Sequence, residues 1–516
     1  MRRLKPALVL AFLLFCGYQV GFNPVRIWQG LPQMGALLER MLSPDWGYVM
    51  EVMDSLLETL QMALVGSILG TVFALPLSLL AAENITPHPA IYRVIRSIMA
   101  AVRALPHVFW AAFLVTLFSI GPGAGILALA ITSCNLVAKL LSEYIEGLEA
   151  RELEAIHAVG AGRAALIVYA VLPRIGGRLW SLFFFSLEVN TRASTVLGMV
   201  GAGGIGQLLW RDLNFLRYDR LATLILLLFA TIALIDIAGW LARRLQLVQL
   251  PGLNFKTYRS FRLWSGLKLA SGLVALTIAL VWGLSLLDMG WERLFLGLEQ
   301  GTVMVRRMLQ PDWTYFYRLR QGLAESFYIA VFATGIGSLA AIPAALMGAG
   351  NLWRFQAWPL FNKLLVNLIR TFPSLILAIM FFRGVGPGPL AGALALTIYT
   401  SGVLGKLYTD IVESMDSRAL LALRATGATS VQVLRFAVLP RVLPDFLAAS
   451  LYRLESNIRT ATILGIIGAG GIGTYLMMNL EARNWERVGL LLGGMIVLVL
   501  AVDAFSGIIR KRISTR

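Results

Sequence analysis

The sequence predicts an all-α integral membrane protein made of two tandem six-helix halves in parallel orientation. Hydrophobic residues make up 58% of the 516 residues and charged residues only 14%, which is more apolar material than a water-soluble core can bury. Segments also recur 267 residues further along, so that Pro44-Asp45-Trp46 returns as Pro311-Asp312-Trp313. Runs long enough to cross about 30 Å of hydrocarbon occur six times in each half.

The apolar runs of the two halves fall at matching positions. In the first half they cover about 6–22, 55–82, 97–119, 124–142, 176–200 and 220–241. In the second half they cover about 268–287, 322–348, 364–383, 390–409, 443–467 and 488–510. The first run lacks the small-residue cleavage site of a signal peptide and its counterpart is internal, so we expect a retained helix.

Basic residues predict the orientation, because Lys and Arg collect in the cytoplasmic loops of membrane proteins. They cluster before the first run, between the halves and at the end of the chain: Arg2, Arg3, Lys5, Arg243, Arg244, Lys256, Arg259, Arg262, Arg510, Lys511 and Arg512. Six crossings return the chain to its starting side, so both termini are expected in the cytoplasm. The predicted division is a first half at 1–245, a cytoplasmic basic linker at 246–266 and a second half at 267–516.

The same clusters explain the net charge of +17 without nucleic acid as a partner. The three histidines and two cysteines are too scattered to predict a metal site. Neither a phosphate-binding Gly-x-x-x-x-Gly-Lys-Ser/Thr motif nor a set of nucleophile, base and orienting residue is found. We therefore expect a protein that is not an enzyme, has no cofactor of its own and depends on another chain for any ATP.

The loop between the fourth and fifth runs carries a repeated motif. The two copies contain Glu154, Ala155, Gly160 and Pro173 in the first half, and Ala422, Gly427 and Pro440 in the second. A short helix broken by the glycine and stopped by the proline would be a rigid element able to transmit a push. A solvated loop is the alternative, but the motif stands in register in both halves. The second copy has Leu421 in the place of Glu154, so the two loops need not be equivalent.

This spacing resembles the cytoplasmic coupling loop of permease subunits in ATP-binding-cassette (ABC) importers, in which a short helix docks on the ATPase. Together with the string Gly-Ala-Gly-Gly-Ile-Gly at 201–206 and 468–473, it makes both halves similar to phosphonate-type importer permeases of the type I-like fold. The resemblance implies two copies of an ABC ATPase, which bind ATP and Mg, and a periplasmic or lipid-anchored solute-binding protein. It also implies a multi-pass location in the bacterial inner membrane.

The glycine strings have two readings. A phosphate-binding loop would have to follow a strand and open a helix in a βαβ unit, and the sequence predicts none. The alternative is a structural role, in which glycine allows a sharp turn and a close approach between helices. We predict this structural role for Gly201, Gly203, Gly206, Gly468, Gly470 and Gly473.

Ionisable and amide side chains inside the runs are candidates for a substrate pathway, because charge in hydrocarbon is costly unless it is paired or faces water. The candidates are Arg103, Arg370, Asn190, Arg192, Asn457 and Arg459. Arg192 and Arg459 follow Glu188 and Glu455 by four residues, so each can form an i,i+4 pair with a structural role. Arg103 and Arg370 have no carboxylate within a turn, and their alternative is snorkelling to the headgroups.

These features predict a permease subunit that moves phosphonate, or a related small phosphorus oxyanion, with ATP hydrolysed on the partner. Phosphite, hypophosphite, phosphate or an amino acid is an alternative small substrate. A secondary transporter is a further alternative, although it would not need paired docking loops. Lipid and a small anion are the other expected partners.

Overall fold

A computed structural model of the protein describes residues 4–118, 120–148, 160, 162–244, 277, 280–282, 291–352, 357–372, 374–415 and 418–514. Every regular element within these ranges is helical, which confirms the all-α prediction.

Eight of the nine helices given for each repeat lie at corresponding positions, with ends that agree within three residues, and one helix of each repeat has no described counterpart. The first repeat contains α1 (Leu4–Val20), α2 (Pro24–Met41), α3 (Val49–Leu80), α4 (Pro89–Ala104), α5 (His107–Phe118), α6 (Pro122–Glu146), α7 (Leu172–Gly198), α8 (Ile205–Asn214) and α9 (Tyr218–Arg244). The second contains α10 (Trp291–Met308), α11 (Phe316–Gly348), α12 (Ala357–Thr371), α13 (Ser374–Val385), α14 (Pro389–Glu413), α15 (Arg418–Ala425), α16 (Leu439–Ile466), α17 (Ile472–Glu481) and α18 (Trp485–Ser514). Proline opens both α6 and α14, where its fixed φ suits a first helical turn.

Seven helices in the described part of the chain are long and apolar enough to cross a membrane, and three bent helix pairs raise this to ten if each pair is one span. The predicted run at 443–467 corresponds to α16, which is long enough but contains five charged residues and is not among the ten. The predicted run at 268–287 lies outside the described residues except at 277 and 280–282.

The third predicted run of each half is bent, so the expectation of one continuous helix there was wrong. Helices α4 and α5 meet at 87°, and α12 and α13 meet at 81°. Leu105 ends α4 with extended backbone, φ −84° and ψ 132°, because the ring of Pro106 disfavours helical backbone at the residue before it. The bend places the end of α4, rather than the middle of a span, at Arg103.

Two amphipathic helices, α2 and α10, were not predicted, since only uninterrupted apolar runs were counted. Met34 and Leu37 of α2 are buried. Gly30 of α2 lies against the backbone of Gly384 in α13, where an added Cβ would collide with the carbonyl group. Gly297 of α10 lies equally close to the ring of Phe118 in α5. Glycine is required at such crossings because only its lack of a side chain permits the approach.

The helices form two compact units that do not follow the repeats. One unit is Glu39–Val303, and the other combines Met1–Leu38 with Met304–Arg516. The second unit therefore contains α1 of the first repeat, where Phe12 packs 6.5 Å from Phe327 and Phe15 packs 5.8 Å from Tyr328 between ring centroids. The predicted halves, 1–245 and 267–516, follow the sequence repeat, whereas the boundaries of the compact units lie about 40 residues after the start of each half.

The core of the unit Glu39–Val303 contains two apolar clusters along α3 and α6. One includes Met62 and Leu129, and the other includes Val137 and Leu141. Helices α3, α6 and α7 also contribute buried polar side chains, Ser67, Ser133 and Asn190, which form the basis of the candidate site.

Candidate functional site

A buried asparagine joins three helices in each repeat. Asn190 of α7 is 2% exposed and its Nδ2 donates to Ser67 Oγ of α3 at 2.8 Å and to Ser133 Oγ of α6 at 2.7 Å. In the second repeat, the Nδ2 of Asn457 donates to the hydroxyls of Thr334 and Thr400 at 2.8 and 2.9 Å. The amides predicted for the substrate pathway are thus hydrogen-bonded inside the helix packing of their own repeat.

The predicted i,i+4 ion pairs are present on the same two helices. Glu188 pairs with Arg192, and Glu455 Oε1 lies 2.9 Å from Arg459 Nη1. All four side chains are largely buried. Because each arginine faces its own carboxylate, the pair carries no net charge into the membrane.

The glycine strings form sharp turns between α7 and α8 and between α16 and α17. Gly201, Gly203 and Gly204 have φ of +92°, +87° and +73°, a region that glycine adopts without steric cost. The second string repeats this backbone, with φ of +79° at Gly470. Gly206 approaches α7 so closely that an added Cβ would collide with the carbonyl of Thr195. Gly468, the counterpart of Gly201, has a φ of +86°. Gly473, the counterpart of Gly206, approaches α16 so closely that an added Cβ would collide with the carbonyl of Thr462.

Side chains of a neighbouring helix accept hydrogen bonds from the backbone N–H groups at the end of each turn. Glu58 Oε2 accepts from Gly204 N at 3.1 Å, and Thr59 Oγ1 accepts from Ile205 N at 2.7 Å. Glu325 and Ser326 make the same two contacts in the second repeat, at 3.0 and 2.9 Å. A carboxylate at a helix N-terminus satisfies free donors and complements the helix dipole. The turn is therefore already capped by the protein itself, and the sequence alone did not predict this partner.

Arg103 and Arg370 lie half-buried in the last turns of α4 and α12, beside the bends. Arg96 and Lys363, seven residues earlier on the same two helices, are paired with carboxylates. Arg96 Nη2 contacts both carboxylate oxygens of Glu146 at 2.8 Å.

The same carboxylate position closes the end of the fourth span in both repeats. Glu146 Oε1 also accepts from Glu83 N at 2.9 Å. Glu413 accepts from Lys363 Nζ at 2.7 Å and from Gly350 N at 2.8 Å. Each carboxylate thus fastens the loop after the second span to the end of the fourth, at the base of the coupling loop.

The two loops predicted to be coupling loops are described in part. Glu154 and Ala155 lie outside the described residues, and Gly160 is exposed with φ +76°. In the second loop Ala422 is exposed on α15, and Gly427 follows that helix with φ +79°. The backbone N–H of Ala428 returns to the Leu423 carbonyl at 3.4 Å, as expected where a glycine ends a helix.

The two prolines do not stop the coupling helix as predicted. Pro173 and Pro440 lie in the first turn of α7 and α16, and π-helical segments at Ile167–Val171 and Leu434–Val438 lead into those helices. At the junction Leu172 N–H donates to the Ile167 carbonyl, five residues back. The wider π turn lets the chain continue into the span although proline provides no N–H donor.

The repeated Pro-Asp-Trp motif has a structural role that the sequence analysis missed. Asp45 accepts from Gly47 N at 3.1 Å and pairs with Arg220, whose guanidinium lies 4.6 Å from the ring centroid of Tyr48. In the second repeat Asp312 Oδ2 lies 2.9 Å from Arg487 Nε. Hydrogen bonds from Thr314 and Arg487 lower the pKa of Asp312. The sequence does contain a signal for this turn. Aspartate commonly accepts a hydrogen bond from the backbone N–H two residues further on, and the Asp of the motif could have been interpreted in this way.

A cavity of about 390 Å³ lies among α6, α7 and α9. Its polar lining includes Arg178, Ser181 and Glu188. The corresponding positions of the second repeat carry Asp445, Ala448 and Glu455, so the cavity's cation is not repeated.

Long apolar helices in a tandem repeat, with buried polar contacts inside each repeat, define a multi-pass α-helical membrane protein. The family model for the binding-protein-dependent transport system inner membrane component matches residues 74–247 and 337–515. The chain belongs to this family, and its fold is that of two ABC importer permease halves in one chain.

One relative matches nearly the whole chain, and others match less than half of it. The Phosphate-import permease protein PhnE of Mycolicibacterium smegmatis is 33% identical over 96% of this chain and 92% of its own length. The Phosphite transport system permease protein PtxC of Stutzerimonas stutzeri is 34% identical over 46% of this chain and 88% of its own length. A chain of the inward-facing MetNI methionine ABC transporter is 20% identical over 39% of this chain and 99% of that chain, with a TM-score of 0.36.

Replacing Glu58 with Ala is expected to lower the free energy of unfolding by about 1 kcal/mol, the usual cost of losing a helix cap. The physical reason is that the N–H of Gly204 then loses its acceptor. Thermal unfolding of the detergent-purified protein measures the change. Glu58→Gln keeps an acceptor oxygen and should lose less, and Asp54→Ala, at an exposed position of the same helix, is the matched control. Equal stability of Glu58→Ala and the control would contradict the capping role.

Asn190→Leu and Asn457→Leu should each destabilise the protein by about 1–2 kcal/mol, because two hydroxyls lose an interhelical partner in an apolar environment. The same unfolding measurement applies, with Gln207→Leu as a control at an exposed site. Wild-type stability of both asparagine variants would show that these hydrogen bonds do not hold the helices together.

Proposed function

We propose that this chain is the membrane permease of an ABC importer that moves a small phosphorus oxyanion. The observation that carries the proposal is the near end-to-end match, at 33% identity, to a relative named as a phosphate-import permease. A half-length relative is named for phosphite. Phosphate, phosphite and phosphonate share a tetrahedral phosphorus centre with anionic oxygens, so we assign the substrate at the level of this shared chemistry.

The energy source in this proposal is a pair of ABC ATPase subunits that bind ATP and Mg. They would dock on the two coupling loops, of which α15, with the exposed Ala422, is the described helix. The π-helical segment at Leu434–Val438 leads without a break into α16. A displacement of the loop would therefore move α16 as a rigid rod, together with the Asn457 contacts and the glycine turn at its far end.

The surroundings follow from the same scheme. We place the chain in the bacterial inner membrane with both termini in the cytoplasm, as the basic clusters indicate. A periplasmic or lipid-anchored solute-binding protein would deliver the anion to the opposite side. The glycine turns at Gly201 and Gly468 lie at the ends of α7 and α16 that are remote from the coupling loops, so they are on the side that such a protein would meet.

Arg103 and Arg370 are proposed to attract the anion along its route. Both lie where a span bends and both are half-buried. A guanidinium at such a position favours a phosphoryl group through charge-assisted hydrogen bonds.

Uptake of labelled phosphonate, phosphite and phosphate by cells with and without the gene tests the substrate class. We expect loss of uptake of at least one of these anions on deletion, and restoration by the gene, because the permease provides the route across the membrane. Isolation of the tagged chain should bring down an ATPase. Wild-type uptake of all three anions by the deletion strain would reject the substrate class. Failure to isolate an ATPase would reject the importer scheme.

The double variant Arg103→Ala with Arg370→Ala should lower uptake about tenfold, because a charge-assisted hydrogen bond contributes about 1.5–3 kcal/mol. The amount of co-isolated ATPase should stay the same, since neither residue belongs to the coupling loops. Arg93→Ala removes an exposed charge of the same helix α4 and is the control. Uptake by the double variant at the wild-type rate would exclude both arginines from the pathway.

A further inference from the structure

Arg453 is a buried cation that the repeat analysis passed over. It is the fifteenth residue of the 28-residue helix α16, about 21 Å from the start of that helix at 1.5 Å per residue. The residue is only 7% exposed. Helix α16 corresponds to the predicted run at 443–467. A guanidinium in the middle of such a span is costly, and residues of this kind commonly mark substrate or ion pathways.

The guanidinium of Arg453 is incompletely satisfied. Its Nη1 lies 3.5 Å from Ser456 Oγ, and its Cζ lies 4.9 Å from the ring centroid of Tyr399 on α14. The side chain of Tyr399 attracts the cation and contacts it, but neither Nε nor Nη2 lies within hydrogen-bonding geometry of an acceptor among the described residues. The carboxylate of Glu455, two residues further along the helix, is paired with Arg459 at 2.9 Å.

The two donors without an acceptor, Nε and Nη2, are a pair that can bind an oxyanion in a bidentate manner. The Nε–H and one Nη2–H bond of arginine point to the same side of the planar group and match two oxygens of a carboxylate or phosphoryl group. Lysine offers no such fork, because its ammonium is a single point of charge. The unpaired edge of the Arg453 guanidinium therefore has the donor arrangement for bidentate recognition of an anion.

The first repeat shows that helix packing does not require this cation. The position that corresponds to Arg453 is Ser186, and the position that corresponds to Tyr399 is Thr132. Ser186 is also buried, in the same helical register of α7. At these two buried positions the second repeat thus has an arginine and a supporting ring where the first repeat has two small hydroxyl side chains.

From these observations we propose that Arg453 is an anion-binding residue, which holds two oxygens of the transported phosphorus oxyanion through Nε and Nη2 near the middle of the membrane. The inference rests on the proposed function and adds to it a one-sided binding site, present on the second repeat only. Tyr399 positions the guanidinium by packing its ring against the cation. Because Arg453 is buried, the anion reaches it when the surrounding helices separate during alternating access.

The test uses proteoliposomes that hold this chain with its ATPase and binding protein. Uptake of labelled phosphate, phosphite and phosphonate, each tested separately, and ATP hydrolysis are measured in the same vesicles. Arg453→Met should lower uptake about tenfold, whereas ATP hydrolysis stimulated by the binding protein should stay within about twofold of wild type. Arg453→Lys should give an intermediate rate, because it keeps the charge without the fork.

Two further variants make the result specific. Arg318→Met removes an exposed arginine that also lies over a ring, 5.9 Å from the centroid of Tyr475, and should leave uptake unchanged. If Arg453→Met does not accumulate in the membrane, Arg453→Gln gives the same comparison with a polar side chain.

Each outcome decides one point. Wild-type uptake by the Arg453 variants would overturn the inference, and so would an equal fall in uptake and ATP hydrolysis, which a packing role predicts. If the wild-type importer carries none of phosphate, phosphite and phosphonate, the proposed function fails before Arg453 is tested.

Discussion

The rest of the structure depends on satisfying polar groups where no water is available. Asn190 and Asn457 bring an amide to the middle of three packed helices, and each amide meets hydroxyls on both neighbouring helices. Lipid provides no hydrophobic drive between helices, so close packing and such hydrogen bonds must hold them together. The same three helices in each repeat also carry the coupling loop, the ion pair and the glycine turn. These features are therefore linked through the same packed helices.

The same constraint explains the turns. Where α7 ends and α8 begins, the free N–H groups need acceptors, and Glu58 and Thr59 of α3 provide them. At the other end of the bundle, Glu146 serves the loop after α3 and also neutralises Arg96. Carboxylates from adjacent helices thus close both ends of each bundle. Glycine permits the sharp backbone turn, but the acidic side chain from a neighbouring helix fixes its position.

Local signals predicted more than long-range ones. The positions of the long helices and the i,i+4 pairs depend on residues close together in the chain, and the repeat is visible by direct comparison of the two halves. These expectations agree with the described helices. The bend at Leu105 was in principle readable from Pro106, because the restriction acts on the adjacent residue. The contact between Glu58 and the turn spans 146 residues, and nothing local indicates it. The placement of α1 in the compact unit of the second repeat was equally hidden, because apolar aromatic faces do not specify which partner they cover.

Fusion of two permease halves removes a restriction that a symmetric dimer would impose. In a homodimer every side chain occurs twice, so a cation near the middle of the membrane is always accompanied by its copy. A single chain permits the repeats to diverge, and they have done so at buried positions. Asp212, fully buried, corresponds to Asn479, and Ser186 corresponds to Arg453. The hydrogen-bonded framework is repeated, whereas several charges near it are not. The repeats are thus alike where their side chains support helix packing and differ at buried positions where one repeat alone carries a charge. This is expected if only one half binds the anion while both halves move during transport.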